Sequence, residues 1–144
     1  MPRRKAPESQ LNFLEPRLKT APCVPAIRKA VDDWRASNYK GVTETTRALL
    51  NYWFKTDHRL PNGRAFTYHD SQKFAIETLI YLYEVAKVRR HKDLVEQYAG
   101  ANTDLRLLQY DEFARYCIKM ATGSGKTKIM SLAMVWQYFN AVLE

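Results

Sequence analysis

The chain has 144 residues, of which 46% are hydrophobic and 26% are charged, and its formal net charge at pH 7 is +8. This length allows one ordinary domain with a core, and the composition is that of a globular protein, not of a disordered one. The positive charge is compatible with a polyanionic partner such as nucleic acid, or simply with an uneven surface. The N-terminus lacks the apolar run of a secretory signal. Cys23 and Cys117 lie far apart without metal-ligand spacing, so we expect a reduced, intracellular chain.

Residues 1–22 contain four prolines and an early basic cluster, Arg3, Arg4 and Lys5. Proline density and charge disfavour regular structure, which predicts an extended basic arm. Such an arm can be a solvated tail or can touch phosphates, and the tail is the simpler interpretation.

Residues 23–60 have the pattern of a helical region. A first helix carries one apolar face and stops before Gly41, and Thr43 can cap a second helix. The apolar positions of these two helices are Ile27, Val31, Trp34, Leu49, Leu50, Trp53 and Phe54. A helix-turn-helix DNA reader is conceivable here, but these aromatic residues are better explained as core.

A turn and a longer helix follow. Pro61-Asn62-Gly63 is a strong turn signal, and Asp70 or Ser71 can cap a helix whose apolar residues recur at helical spacing. That spacing comes from Ala75, Leu79, Leu82 and Ala86. The basic run at residues 87–92 would close this helix, because cations suit a helix C-terminus. The three histidines, His58, His69 and His91, have no zinc-like spacing.

The most informative stretch is Met-Ala-Thr-Gly-Ser-Gly-Lys-Thr at residues 120–127. Residues 115–120 read as a short buried strand, and a helix rich in apolar residues begins at Lys126. Strand, glycine loop and helix form the layout of a phosphate-binding P-loop. Gly123 and Gly125 let the backbone aim its N–H groups at phosphate oxygens, Lys126 can reach the β- and γ-phosphates, and the Thr127 hydroxyl can hold Mg²⁺. Thr122 and Ser124 complete the loop.

The strict P-loop pattern places glycine at position 120, where this chain has Met120. This variant resembles motif I of superfamily 2 DEAD/DEAH-type helicases and translocases, and it is most similar to the helicase (Res) subunit of type III restriction enzymes. Ser-Gln-Lys-Phe-Ala-Ile-Glu-Thr-Leu at residues 71–79 supports the resemblance. It is similar to the segment that opens the first RecA-like domain of that superfamily and carries an adenine-reading glutamine, here Gln72. Phe66 and Tyr68, just upstream, can pack against the adenine ring.

The resemblance implies an α/β fold that is predominantly helical in this piece, with N-terminal helices and then the start of a RecA-like P-loop domain whose sheet is incomplete. The ATP-binding part would span residues 61–144. ATP and Mg²⁺ are the implied cofactors, DNA is the implied partner of the full-length protein, and a modification or specificity subunit is a further one. A cytoplasmic location without membrane association also follows from the resemblance.

The acidic residue that would activate water cannot be assigned. Asp111 and Glu112 look like the Asp-Glu pair of motif II, but they precede the loop, and after Thr127 the only acidic residue is Glu144. Catalytic residues are therefore unknown, and the sequence looks like the N-terminal fragment of a longer motor protein. The final helix is apolar around much of its circumference, so we expect burial on more than one side; it is too interrupted by polar residues for a membrane span.

Two alternatives stay open. The chain can be a small basic helical protein that binds nucleic acid and carries an incidental glycine-rich loop. It can also be another P-loop enzyme such as a small-molecule kinase, although the Gln72 segment and the lack of a substrate-binding lid disfavour this.

Overall fold

The structure is a computed structural model that describes residues 23–100 and 115–144. In chain order its elements are α1 (Cys23–Ala36), α2 (Glu44–Lys55), β1 (His58–Arg59), β2 (Ala65–Phe66), α3 (Asp70–Ile80), a π-helical turn (Tyr81–Val85), α4 (His91–Tyr98) and α5 (Lys126–Leu143). The expectation of a predominantly helical piece is confirmed, and within the described ranges β1 and β2 make the only sheet. The predicted basic arm at residues 1–22 and the Asp111-Glu112 pair lie outside the described residues.

Helices α1 and α2 form as their apolar patterns predict. Ile27, Val31 and Trp34 are the buried residues of α1. Thr43 is the N-cap of α2, and its hydroxyl oxygen accepts a hydrogen bond from the Thr46 backbone N–H at 3.1 Å. This bond satisfies one of the amide groups that have no partner inside the first turn of a helix.

The predicted turn at Pro61-Asn62-Gly63 is present, and it connects β1 to β2, two short strands that the sequence pattern did not predict. The two strands are antiparallel, with His58 opposite Phe66, and the Leu60 N–H donates to the Arg64 carbonyl at 2.8 Å. Gly63 has a φ of 78°, a conformation that glycine adopts without steric cost. The hairpin places Phe66 directly before the segment that leads into α3.

Helix α3 differs from its prediction at both ends. Its N-cap is His69, one residue before the predicted Asp70 or Ser71. At its C-terminal end the regular helix changes at Tyr81 into a π-helical turn, where Glu84 accepts hydrogen bonds from the Thr46 hydroxyl at 2.5 Å and from the Trp136 indole N–H at 2.6 Å. These contacts with other helices favour the π-helical turn, and the local periodicity of the sequence contains no information about them.

The basic run at residues 87–92 does not close α3. It spans the break between the π-helical turn and α4, a helix that the sequence pattern did not predict. Asp93 stabilises the start of α4, because its carboxylate accepts a hydrogen bond from the Arg90 backbone N–H at 3.0 Å.

A carboxylate without solvent exposure, Glu77, ties α1 to α3. The Arg35 Nε donates to its two oxygens at 3.1 and 3.0 Å, and the Tyr39 hydroxyl donates at 2.7 Å. The bond to Glu77 raises the pKa of Arg35 above its ordinary value. Burial, and then the bond to Glu77, raises the pKa of Tyr39. The buried charge is thus paired and hydrogen-bonded, as a charge in a core must be.

The prediction of a buried strand at residues 115–120 is wrong. These residues have no regular secondary structure, and Arg115, Cys117, Ile118 and Lys119 are exposed. A strand exists only when a neighbour completes its hydrogen-bonded ladder, and no described segment pairs with this one.

Helix α5 begins at Lys126, as predicted, but it is buried on one side only. Ile129, Leu132 and Trp136 face the core, whereas Met130, Met134, Tyr138 and Val142 are each about 60% exposed. None of the described helices combines the length and the hydropathy needed to span a bilayer.

Candidate functional site

The glycine loop makes a tight turn at the N-terminus of α5. Gly123 and Gly125 have φ values of 80° and 78°, which lie in the left-handed region. Between them, the Ser124 hydroxyl donates to the Ala121 carbonyl at 2.6 Å. The first amide groups of α5 have no acceptor inside the helix, and the helix dipole is positive at this end. The turn therefore has the backbone shape and the polarity of an anion-binding loop.

Lys126 folds back over this turn. Its ammonium group donates to the carbonyls of Ala121 at 3.0 Å and Met120 at 3.3 Å. Both acceptors are neutral carbonyl oxygens, so neither provides a counter-charge for the ammonium group. Thr122 and Thr127 are exposed on either side of the turn, and Thr127 lies in the first turn of α5. Gly123 and Lys126 are exposed as well, whereas Ser124 and Gly125 are half-buried.

Gln72 is packed against the loop although it lies 52 positions away from Ser124 in sequence. Its side chain is buried, with 6% exposure; its Nε2 donates to the Ser124 carbonyl at 3.1 Å, and its Oε1 accepts from the His69 backbone N–H at 3.1 Å. A Cβ atom on Gly125 would lie 2.1 Å from Nε2. Gly125 is therefore required by its backbone conformation and also by the close approach of Gln72.

The hydrogen bond that Gln72 accepts from the His69 N–H is the local role expected of a glutamine at the start of a helix. An amide side chain has two donors and an oxygen that can accept two hydrogen bonds. The bonds to His69 and Ser124 use one acceptor position and one donor, so one of each is left. Adenine presents a complementary pair at N7 and its exocyclic amine.

An aromatic cavity of about 280 Å³ reaches the first turn of α5 at Lys128. The two rings of Phe66 and Tyr68 meet edge to face at 5.0 Å, and the Lys128 ammonium lies over them, 5.2 Å from the Phe66 centroid and 5.8 Å from the Tyr68 centroid. Burial, with a smaller contribution from neighbouring Tyr52, raises the pKa of Tyr68. The remaining lining residues are Tyr52, Trp53, His58, Arg59 and Leu60.

Lys128 was not singled out from the sequence. A signal was present, because a cation in the first turn of a helix opposes the helix dipole and needs some other stabilising contact. The partners that provide this contact, Phe66 and Tyr68, are more than fifty residues away along the chain. Sequence proximity to Gln72 pointed to these two rings, but it gave no reason to connect them with Lys128.

A larger groove of about 880 Å³ borders the opposite part of the loop, between α1, α3 and residues 117–121. Arg28 and Phe74 line it, with the guanidinium carbon 5.0 Å from the ring centroid, and Ser124 reaches its edge. Within the described ranges, no group of three histidine, cysteine or acidic side chains can hold a metal ion.

The sequence was compared with protein families. The family described as type III restriction enzyme, res subunit, matches residues 65–143, which is more than half of the chain. The chain belongs to this family. No curated protein and no solved structure matches it.

The matched range contains β2, Gln72, the glycine loop and all of α5. Membership in the Res-subunit family indicates a helicase-like, ATP-dependent function at the level of the family, and the resemblance noted from residues 71–79 and 120–127 is confirmed.

Proposed function

We propose that residues 61–144 are the beginning of a RecA-like ATP-binding domain, and that residues 122–127 cradle the triphosphate of ATP with Mg²⁺. The observation that carries this proposal is the left-handed turn at Gly123 and Gly125 on the N-terminus of α5, with Gln72 packed against it at the Ser124 carbonyl. An incidental glycine turn would not explain why a buried amide from another helix touches the loop.

Lys126 is the residue that changes partner when an anion arrives. Its ammonium now contacts two neutral carbonyls, and a β- or γ-phosphate oxygen is a stronger acceptor because it is charged. The Ser124 N–H is already bonded to the Ala121 carbonyl at 3.3 Å, so the other backbone N–H groups from Thr122 to Thr127 supply the remaining donors, and the Thr127 hydroxyl is the ligand for Mg²⁺. These donors and this hydroxyl suit a metal–triphosphate complex.

Gln72 is the proposed adenine reader. Its remaining donor can meet adenine N7, and its remaining acceptor position can meet the exocyclic amine. Guanine carries an oxygen where adenine has that amine, so it would face the amide oxygen with a second acceptor. Phe66 and Tyr68, which line the aromatic cavity together with Lys128, are the proposed ring contacts of the base.

For the full-length protein, we propose an ATP-dependent DNA translocase similar to type III restriction subunits. ATP hydrolysis would open and close two RecA-like domains along DNA, and a modification or specificity subunit would be a partner in the cytoplasm. Hydrolysis needs a carboxylate near the metal and cations on the developing phosphate charge. We assign no catalytic residue in this chain.

The first test is Lys126→Ala in the 144-residue chain, with Mg-ATP affinity measured by isothermal titration calorimetry. Loss of a charge-assisted contact, worth roughly 1.5–3 kcal/mol, should weaken binding on the order of ten- to a hundredfold. Lys119→Ala is the matched control, because Lys119 is an exposed lysine in the segment that precedes the loop. Equal affinities for the Lys126 and Lys119 variants would contradict the role given to Lys126.

The second test is Gln72→Ala, with ATP and GTP titrated in parallel. The preference for ATP should fall, because the variant has no amide to distinguish the two bases. If both nucleotides lose affinity by the same factor, Gln72 supports the helix start and the loop without reading the base.

The alternative of a basic nucleic-acid-binding protein is supported by the net charge of +8. That protein would bind DNA with a steep salt dependence and would ignore nucleotides. Titration of the wild-type chain with Mg-ATP and with a short DNA duplex at two salt concentrations separates these functions.

A further inference from the structure

The base half of the proposed site is covered by one of the protein's own cations. Lys128 places its ammonium over the faces of Phe66 and Tyr68, inside the aromatic cavity. A cation over an aromatic face is attracted by the negative potential of the ring. The ring faces that a planar base would use are therefore already in contact with a side chain.

The two lysines at the start of α5 are held in comparable ways. Lys126 is bound by the carbonyls of Met120 and Ala121, and Lys128 is bound by two rings. All of these partners are neutral. A ligand that carries a base competes with the Lys128 ammonium for the ring faces, whereas an anion without a base does not.

We propose that Lys128 is a specificity-determining residue of the base half of the site. Its ammonium covers Phe66 and Tyr68 when no nucleotide is present, and it leaves them when a base stacks on one of the two rings. Lys128 therefore sets how much a stacked base adds to the binding of the anionic tail. This inference rests on the proposed ATP site, because it makes Lys128 a gate of that site, a side chain that covers the base position until a base binds.

The experiment compares Mg-ATP with inorganic tripolyphosphate, which has the anionic tail without the base. Dissociation constants for both are measured in the wild-type chain and in Lys128→Ala. Removing a positive charge weakens both ligands, but it also uncovers the rings, which helps ATP alone. We expect the ratio of tripolyphosphate to ATP dissociation constants to rise about two- to tenfold in Lys128→Ala, the range that one cation–π contact represents.

Two further variants make the comparison specific. Lys128→Arg keeps a cation that can cover the rings, and it should keep the wild-type ratio. Lys55→Ala removes a lysine whose ammonium lies 5.6 Å from the Tyr39 centroid, outside the cavity lining, and it should also keep that ratio. An unchanged or lower ratio in Lys128→Ala would overturn the inference, as would an equal rise in Lys55→Ala.

A second readout follows Lys128 directly. Its side-chain methylene protons next to the ammonium should be shifted upfield by the ring currents in the free chain, should stay shifted with saturating tripolyphosphate, and should move downfield with saturating Mg-ATP. A downfield shift with tripolyphosphate alone would show that the anion, not the base, displaces the lysine, and would overturn the gate. If the wild-type chain binds neither ligand, the proposed ATP site itself has failed. If both ligands bind but the ratio does not respond, only the role of Lys128 has failed.

Discussion

Replacing Gly125 with alanine tests how the loop and α3 are joined, and Gly123 provides a matched control. Both glycines have nearly equal positive φ values, 78° and 80°. An alanine in this conformation costs roughly 1–2 kcal/mol at either position, and the entropy that alanine removes from the unfolded chain is also the same. The surroundings differ. A Cβ on Gly123 has no atom within 4 Å, whereas one on Gly125 meets the Gln72 amide nitrogen at 2.1 Å.

The clash at Gly125 can be relieved only by moving Gln72. That movement breaks the bonds to the Ser124 carbonyl and the His69 N–H, and each such bond contributes roughly 0.5–1.5 kcal/mol. Gly125→Ala should therefore lower the free energy of unfolding by roughly 1–3 kcal/mol more than Gly123→Ala does.

The assay is equilibrium urea denaturation of four chains, the two glycine variants alone and each combined with Gln72→Ala. In the Gln72→Ala background no amide remains to be displaced, so the two glycine substitutions should have nearly equal costs. Equal costs in the wild-type background would refute the reasoning. A difference that persists without Gln72 would assign the effect to some other neighbour of Gly125.

Three further predictions concern the scaffold. Glu77→Ala should destabilise the fold by roughly 3–5 kcal/mol in urea denaturation, because it leaves the partly buried Arg35 with only the exposed Asp32 carboxylate and leaves the Tyr39 hydroxyl without its acceptor. Folding raises the pKa of Tyr39. The protonated hydroxyl therefore contributes fully to the free energy of unfolding below about pH 10, the ordinary pKa of tyrosine, and this contribution is lost as the pH rises further. In Tyr39→Phe the free energy of unfolding should fall less steeply at alkaline pH. Trp136→Phe should cost roughly 1–3 kcal/mol, because Glu84 loses the indole donor, and no thermal shift in this variant would contradict that bond's importance.

The features that were predicted correctly are set by nearby residues. The cap at Thr43 needs an N–H three residues later, the turn at Gly63 needs a residue that tolerates positive φ, and the start of α5 at Lys126 follows a glycine. Such signals depend on short-range sterics and hydrogen bonds, so they can be recognised in the sequence alone.

The contacts around the candidate site could be predicted only in part, because they join distant residues. The sequence indicated Gln72 and the loop as separate motifs, but it could not indicate that the amide donates to Ser124. Nor could it indicate that Lys128 lies over Phe66 and Tyr68, because that contact depends on how the hairpin packs beside α5. The family match supports grouping the two motifs, whereas the geometry between them comes from the structure.

The prediction of a strand at residues 115–120 is wrong because a strand, too, depends on contacts with distant residues. The same dependence applies to the packing of α5. Local preference for extended backbone identifies a segment that can join a sheet, but the ladder bonds that make it a strand must come from other segments. The apolar face of α5 at Met130, Met134 and Tyr138 is likewise a correct helix pattern without a packed neighbour among the described residues. The conformation of the glycine loop does not share this dependence. Gly123 and Gly125 have left-handed backbone conformations and Gln72 contacts the loop at Ser124, so phosphate binding can be tested on this chain.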